Sequence, residues 1–331
     1  MKILIAPLNW GLGHASRCIP LIQKYIDDNN EVVIAGDGDS LLLLRKRFPL
    51  LRYIELPHLY LKYSKRNRQV LAMIRALPRI IIWSVRDHYA LKRILKNEQF
   101  DRVISDNRFG LYINFIPTDK AGQISSKTET IYITHQVMIK MPKGLRWTER
   151  FVKACHHSII LKYSQCWIPD YAGEDNLSGD LSHHFILPRN AKFIGLLSRF
   201  PVKETYSSDI SSQKEQYEVV AVLSGLEPQR TIFEKDIINR FSNREEHILI
   251  VRGLPNNPST IITHSNITLV PYLDDKRLQQ VLLEAKKIIA RSGYSTLMDL
   301  KALNCFEKAE LHPTPGQTEQ EYLALLHNKQ S

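Results

Sequence analysis

Residues 1–39 read MKILIAPLNWGLGHASRCIPLIQKYIDDNNEVVIAGDGD, and the reading of this stretch decides the fold. Ile3 to Ala6 are continuously apolar, as in a parallel strand buried on both faces. Gly11-Leu12-Gly13-His14 follows as a glycine loop. Ala15, Cys18, Ile19, Ile22, Tyr25 and Ile26 then recur at helical spacing. Asn29 and Asn30 break that helix, Glu31 to Ala35 form a second strand, and Gly36 to Asp39 turn the chain again. Strand, glycine loop, helix and parallel strand make one α/β unit.

The alternation continues outward from there. Strands are expected at Arg52 to Leu56, Arg102 to Ser105, Thr130 to Thr134, Gln165 to Ile168 and Lys192 to Ile194, with helical stretches between several of them. From Pro201 to Gln216 the composition shifts to Ser, Lys, Glu, Asp and Thr, which reads as a linker. After it Glu218 to Leu223 reads as a strand, Ser224 and Gly225 as a tight turn, and Thr231 to Phe241 as a helix. Further strands are expected at Ile248 to Val251, Ile267 to Val270 and Lys287 to Ala290. A chain of 331 residues is long for one core and fits two α/β domains. The expected domains are 1–200 and 218–331, joined by 201–217, with two doubly wound parallel sheets facing across a cleft.

Composition narrows the function. With 44% apolar and 24% charged residues, the sequence is that of a globular protein, and no apolar run approaches the ~18 residues of a membrane span. No secretory leader opens the chain, so a cytoplasmic location is expected. Cys18, Cys155, Cys166 and Cys305 are irregularly spaced, which suits reduced thiols; a zinc site from Cys155, His156, His157 and Cys166 fits none of the usual ligand spacings. The net charge is +11, and residues 62–102 hold eleven Lys or Arg against three acids, +8 of that total. Interleaved with Leu71, Met73, Ile74, Leu77, Ile80, Ile81 and Trp83, this segment is either a basic amphipathic patch for an anionic membrane surface or acceptor, or a solvated helix face over an ordinary core. Nucleic acid is not expected, because no recognition motif accompanies the charge.

In a doubly wound sheet, ligands bind beyond the carboxyl ends of the strands. Gly11-Leu12-Gly13-His14, Asp106-Asn107-Arg108 and His135-Gln136 occupy three such loops, so His14, Asp106 and His135 are expected on one rim as the catalytic candidates. Gly11 and Gly13 allow a tight turn and close approach of a ligand to the backbone. A dinucleotide site is the competing reading, with Asp37 as the ribose-binding acid. However, Ser16 replaces its third glycine and His14 obstructs the pyrophosphate path. Asp37-Gly38-Asp39 reads better as a turn than as a metal-binding acid pair. In the second half, Arg291-Ser292-Gly293 turns from a strand into a helix, chemically suited to a diphosphate. Ser295 or Thr296 could equally be an ordinary helix cap.

Gly11-Leu12-Gly13-His14, Arg291-Ser292-Gly293 with Thr296 and Asp299, and Pro313-Thr314-Pro315-Gly316-Gln317-Thr318-Glu319-Gln320-Glu321 together resemble family 28 glycosyltransferases, which include the N-acetylglucosaminyltransferase that completes the lipid-linked peptidoglycan precursor. The resemblance implies a GT-B fold, two Rossmann-like domains with the acceptor at the N-terminal one and the donor nucleotide at the C-terminal one. It further implies no cofactor beyond a nucleotide-diphosphate sugar, a UDP-sugar, as donor substrate, and no required metal. His14 matches the family's proposed base and His135 a second histidine of the cleft. Ser224 and Gly225 match the turn opening the donor domain, Thr296 lies in the diphosphate turn, and Asp299 replaces a ribose-binding glutamate. Gln320 and Glu321 replace a glutamine pair at the donor sugar, with Gln317 beside them. The acid at Glu321 implies a different donor sugar, since a carboxylate only accepts hydrogen bonds.

Three features depart from the family. Leu226, Glu227 and Pro228 stand where small polar residues are usual, which shifts phosphate contact to Gln229 and Arg230. The stretch Asn304 to His312 is too charged for the buried strand expected there. The chain also stops soon after Tyr322, so the donor domain is expected to be shortened. The function expected is inverting transfer to a saccharide or lipid-linked acceptor, at the inner face of a membrane if the basic segment binds lipid. The alternatives are a nucleotide-sugar hydrolase or epimerase, and a catalytically silent nucleotide-sugar or lipid-binding protein.

Overall fold

Each continuous apolar run of the first half becomes a strand of one parallel sheet in the computed structural model of the chain, which describes residues 1–59, 69–114, 128–200, 217–255 and 262–328. The strands are β1 (Lys2–Pro7), β2 (Glu31–Gly36), β3 (Arg52–Glu55), β4 (Arg102–Asp106), β5 (Glu129–Ile133), β6 (Gln165–Ile168) and β7 (Ala191–Phe193). They lie in the order β3-β2-β1-β4-β5-β6-β7, so the sequence reverses direction between β1 and β4. Helices α1 (Gly13–Asp27), α2 (Gly38–Arg47), α3 (Gln69–Asn97) and α4 (Glu149–Ile160) make the crossovers. Parallel strands need such crossovers, and helices on the faces of the sheet explain why its strands are apolar on both sides. Leu4, Ala6, Val33, Ala35, Leu91, Leu95, Phe100 and Val103 form one cluster of the core.

The second sheet is built the same way from β8 (Val219–Val222), β9 (Ile248–Val251), β10 (Ile262–His264), β11 (Ile267–Val270), β12 (Lys287–Arg291) and β13 (Ala309–His312). Its order is β10-β11-β9-β8-β12-β13, parallel except for β10 against β11. Helices α5 (Gln229–Phe241), α6 (Asp275–Glu284), α7 (Tyr294–Ala302) and α8 (Thr318–His327) complete the unit. Its core gathers Val219, Ala221, Phe233, Ile237, Phe241, Ile248, Ile250 and Ile289. The chain divides into two compact units, with the break between Leu197 and Ser198. The expected linker at 201–216 lies outside the described residues, as does 62–68 of the basic segment.

Two elements correct the sequence reading. Residues 309–312 do form a strand, and it tolerates charge because β13 is an edge with one neighbour only, β12. Glu310 on that edge accepts from Arg240 at 2.6 and 3.0 Å, from Lys287 at 2.6 Å and from His312 at 2.7 Å, while Leu311 alone points inward. Hydrogen bonding to Arg240, above all, holds the Glu310 carboxyl far below the usual carboxylate range. The antiparallel strand β10 carries no apolar run of its own, and nothing in its composition announced it.

Candidate functional site

The first-unit site is built by register. Pro7 of β1 pairs with Asp106 of β4, and Asp106 with Ile133 of β5, so the loops after three adjacent strands leave the sheet at one level. After β1 the chain turns at Gly11, whose φ of 76° needs glycine, and enters α1 with His14 in its first turn. After β4 it turns at Asn107, φ 59°, a conformation that asparagine tolerates best among side-chain-bearing residues. The structure thus brings His14, Asp106 and His135 together.

Between them stands Arg17, one turn along α1 from His14 and almost fully buried. Its Nε donates to Asp106 Oδ2 at 2.6 Å, and Nη2 makes a very short contact with Asp106 Oδ1. Nη1 lies 2.9 Å from His135 Nδ1, and Nη2 lies 3.0 Å from His14 Nδ1. His14 Nδ1 is also 3.1 Å from Asp106 Oδ1, and the Cys18 thiol is 3.6 Å from Oδ2. Asp106 has no exposed surface. Burial alone would raise its pKa, but the charges of Arg17 and His14 and their hydrogen bonds outweigh it and hold the carboxyl far below the usual range. His14 moves the other way: burial first, then the Arg17 charge, lower its pKa, leaving a neutral imidazole near pH 7. A neutral histidine held by a buried carboxylate suits proton abstraction.

Below this site Arg108 points into the core from the turn at Asn107. It donates twice to Asp87 at 2.9 Å and once to Asp37 at 2.6 Å, and its guanidinium lies 4.9 Å from the Trp83 ring centroid. Asp37 also meets His58 at 2.5 Å and Asn9 at 3.2 Å. Asp37 is therefore a buried counter-ion at the start of α2, tying β2 to the loop after β4, and that is how it departs from a ribose-binding acid. Among the described residues no group of three His, Cys, Asp or Glu could hold a metal ion. None of the four cysteines is in a disulfide; Cys18, Cys166 and Cys305 are buried and Cys155 is exposed.

In the second unit β12 ends at Arg291 and α7 begins after Gly293. Arg291 is buried without a carboxylate: Nη1 donates to Pro313 O at 2.7 Å, Nη2 to Gln229 O at 3.2 Å, and the guanidinium lies 3.9 Å from the Phe233 ring centroid. Burial pulls its pKa down to about 10, so it stays charged at neutral pH. Ser292 Oγ donates to Gln320 O at 2.8 Å, Gln320 Oε1 accepts from Thr314 N at 2.9 Å, and Glu321 Oε1 accepts from Gly316 N at 2.9 Å. Gln317 caps α8. The Pro313 to Glu321 segment is thereby laced to the start of α7, where Thr296 sits half-buried. Gly293 has an ordinary φ of −73°, and an added Cβ would meet only Gln320 Nε2, at 3.9 Å. Neither backbone conformation nor packing demands glycine there, and the space beyond it lies at a helix N-terminus.

These two units, each a largely parallel sheet with helices, recur together in solved structures. Arabidopsis thaliana UGT89C1 complexed with UDP-L-rhamnose is 12% identical, with a TM-score of 0.58 over 99% of this chain and 82% of that one. The glycosyltransferase SnogD from Streptomyces nogalater is 12% identical, with a TM-score of 0.53 over 99% and 94%. A Listeria monocytogenes protein assigned as a UDP-N-acetylglucosamine 2-epimerase is 12% identical, with a TM-score of 0.50 over 99% and 88%. The chain has the GT-B fold. No protein-family model and no curated protein matches it in sequence.

Within the GT-B frame, the expected donor residues are placed as follows. Ser224 and the exposed Gly225, φ 94°, lie in the turn after β8. Arg230 is buried and committed to Glu227 and to Arg252 O at 3.0 Å, and the Gln229 carbonyl is taken by Arg291. Asp299 is buried, with Oδ1 accepting from Ser198 Oγ at 2.8 Å and Oδ2 from Arg199 Nε at 2.9 Å. A ribose would have to add to these bonds or displace them. Sequence reasoning missed Arg17 and Arg199, and it named Arg108 only as part of the loop after β4, without its buried ion pairs.

Proposed function

We propose that the chain is a glycosyltransferase that moves a sugar from a nucleotide-diphosphate sugar, a UDP-sugar, to an acceptor hydroxyl, with inversion and without a required metal ion. The observation that carries this reading is the neutral His14 held against buried Asp106, on a fold shared with a protein solved with UDP-L-rhamnose bound. His14 Nε2 takes the acceptor proton, the acceptor oxygen forms the new bond at the anomeric carbon, and the diphosphate leaves with the electron pair of the bond that breaks. Attack from the face opposite the leaving group inverts the anomeric centre. In the second unit Arg291, Ser292, Gly293 and Thr296 hold the diphosphate at the N-terminus of α7, where amide dipoles favour negative charge. Asp299 is assigned to the ribose, Gln317, Gln320 and Glu321 to the donor sugar, and Ser224, Gly225 and Arg230 to the other side of the nucleotide. Membership of family 28 belongs to this proposal.

The acceptor is a saccharide or a lipid-linked saccharide met at an anionic membrane surface. Helix α3 supports the membrane reading: Leu77, Ile81, Ile82, Val85 and Tyr89 are exposed along it, with Arg79, Arg86, Lys92 and Arg93 among them. No described helix is long and apolar enough to cross a membrane.

Incubation of the wild type and His14→Ala with UDP-sugars, with and without acceptor hydroxyls, tests the reading. A glycoside of inverted configuration, formed ~10²–10⁴-fold more slowly by the variant, is expected for loss of a general base. Free sugar or an epimerised nucleotide-sugar without acceptor would favour the hydrolase or epimerase. Tight binding with no turnover would identify a silent binding protein.

A further inference from the structure

Two histidines beside one carboxylate raise the question of which is the base, and the hydrogen-bond chemistry of Arg17 answers it. A guanidinium only donates. Its Nη1 contact with His135 Nδ1 at 2.9 Å therefore requires a lone pair on that nitrogen, and the proton of neutral His135 sits on Nε2. At His14 the situation is reversed. Nδ1 lies 3.1 Å from Asp106 Oδ1 and 3.0 Å from Arg17 Nη2, and it cannot donate to one and accept from the other at once. Nη2 gives one of its two hydrogens to Asp106 Oδ1, and that charged oxygen, a stronger acceptor than a guanidinium is a partner for an imidazole lone pair, retains a second acceptor site for the His14 proton. A lone pair on His14 Nδ1 would face a buried carboxylate, a repulsion that low dielectric magnifies. The proton of His14 thus belongs on Nδ1, donated to Asp106, which leaves the Nε2 lone pair to act as base.

We propose that Arg17 is the positioning residue of this site: it fixes the two histidines in opposite tautomers, so that His14 acts as base through Nε2 and His135 as hydrogen-bond donor through Nε2–H. The base assignment rests on the transferase reading, but the tautomers do not. Arg17 has a second effect through charge. An imidazole paired with a lone carboxylate would be held protonated to higher pH; the Arg17 charge opposes the pull of Asp106. The groups acting on His14 are Arg17 from α1, Asp106 from the end of β4 and His135 from the loop after β5, with the Cys18 thiol against Asp106, and of these Arg17 is the permanent cation. The positive charge opposes formation of the imidazolium, so the site stays competent at more acidic pH than an isolated histidine–aspartate pair. Arg17 does this without touching substrate.

The test is long-range ¹H–¹⁵N correlation on full-length protein labelled at histidine nitrogen, with resonances assigned from His14→Gln and His135→Gln. Opposite tautomers are expected near neutral pH: His14 protonated at Nδ1, His135 at Nε2. Finding both histidines in the same tautomer, or His14 protonated at Nε2, overturns the proposal. In Arg17→Lys, which keeps the charge with a single ammonium, His135 is expected to lose its fixed tautomer while the His14 titration midpoint barely moves. In Arg17→Met the His14 midpoint is expected to rise. If active, Arg17→Met should also shift the acidic limb of kcat/KM to higher pH, with nucleotide affinity unchanged. An unaltered His135 tautomer in Arg17→Lys would contradict the positioning role. If Arg17→Met does not fold, the wild-type and Arg17→Lys spectra still decide the matter, and they do so even if no transferase activity is found.

Discussion

Replacing His156 by Gln should make the first unit markedly less sensitive to mild acid. His156 is only 4% exposed; its Nδ1 lies 3.1 Å from Val137 O, and its ring meets Phe109 and Tyr132 edge-on at 6.1 and 6.0 Å. Burial pulls its pKa from 6.5 to about 4. Because the folded value lies below the unfolded one, the unfolded chain binds the extra proton between those two limits. Stability contributed by neutral His156 is complete above pH ~6.5 and is lost as pH falls toward 4. At about 1.36 kcal/mol per pH unit, the gap corresponds to about 3 kcal/mol by pH 4. Gln keeps a donor for the Val137 carbonyl and does not titrate, and acid effects from His14 or Asp106 are common to both proteins and cancel in the difference. All four tryptophans, Trp10, Trp83, Trp147 and Trp167, lie in the first unit, so urea unfolding followed by tryptophan fluorescence reports that unit. The wild-type stability minus that of His156→Gln should fall by about 3 kcal/mol between pH 7 and pH 4. A difference independent of pH would refute the burial argument.

Other outcomes follow from the same physics. Arg108→Met leaves Asp87 buried without the guanidinium it shares with Asp37 and should cost ~3–5 kcal/mol in the same fluorescence experiment, while the double variant Arg108→Met, Asp87→Leu recovers part of the loss. Gly110→Ala would bring a Cβ within 2.0 Å of the Ser84 carbonyl oxygen and should destabilise the unit by at least ~1–3 kcal/mol through forced separation of α3 from the loop after β4. If α3 meets an anionic membrane, sedimentation with phosphatidylglycerol vesicles should weaken steeply between 0.05 and 0.5 M salt, on the order of what screening of surface charge allows, and weaken further in Ile81→Ser, Ile82→Ser; binding indifferent to salt would contradict it.

Most of the fold was legible because buried parallel strands must be apolar on both faces, as Ile3 to Ala6 and Ile248 to Val251 are. The rim of His14, Asp106 and His135 was legible for a related reason: strand ends in a parallel sheet are where the chain can present polar groups to a ligand. What stayed hidden depends on tertiary partners. Arg17 lies 89 residues from Asp106 and on its own reads as a charge on an amphipathic helix. Arg108 looks like a loop cation until its fully buried contacts with Asp37 and Asp87 are seen. Edge strand β13 carries a charge that meets Arg240 and Lys287, from elements distant in sequence, as well as its neighbour His312. Asp299 reads as a ligand carboxylate by motif, and only the fold reveals Ser198 and Arg199 against it.

Titration calorimetry of the wild type and Gly293→Glu against uridine, guanosine and thymidine diphosphates and their sugars tests the central claim most directly. The substitution fits the local backbone, whose φ is −73°, and sets a carboxylate at the N-terminus of α7 where the diphosphate is proposed to lie. The account predicts that the wild type binds a uridine diphosphate or its sugar and that folded Gly293→Glu does not. Wild-type protein that binds none of these nucleotides, or a variant that binds as tightly as the wild type, would contradict it.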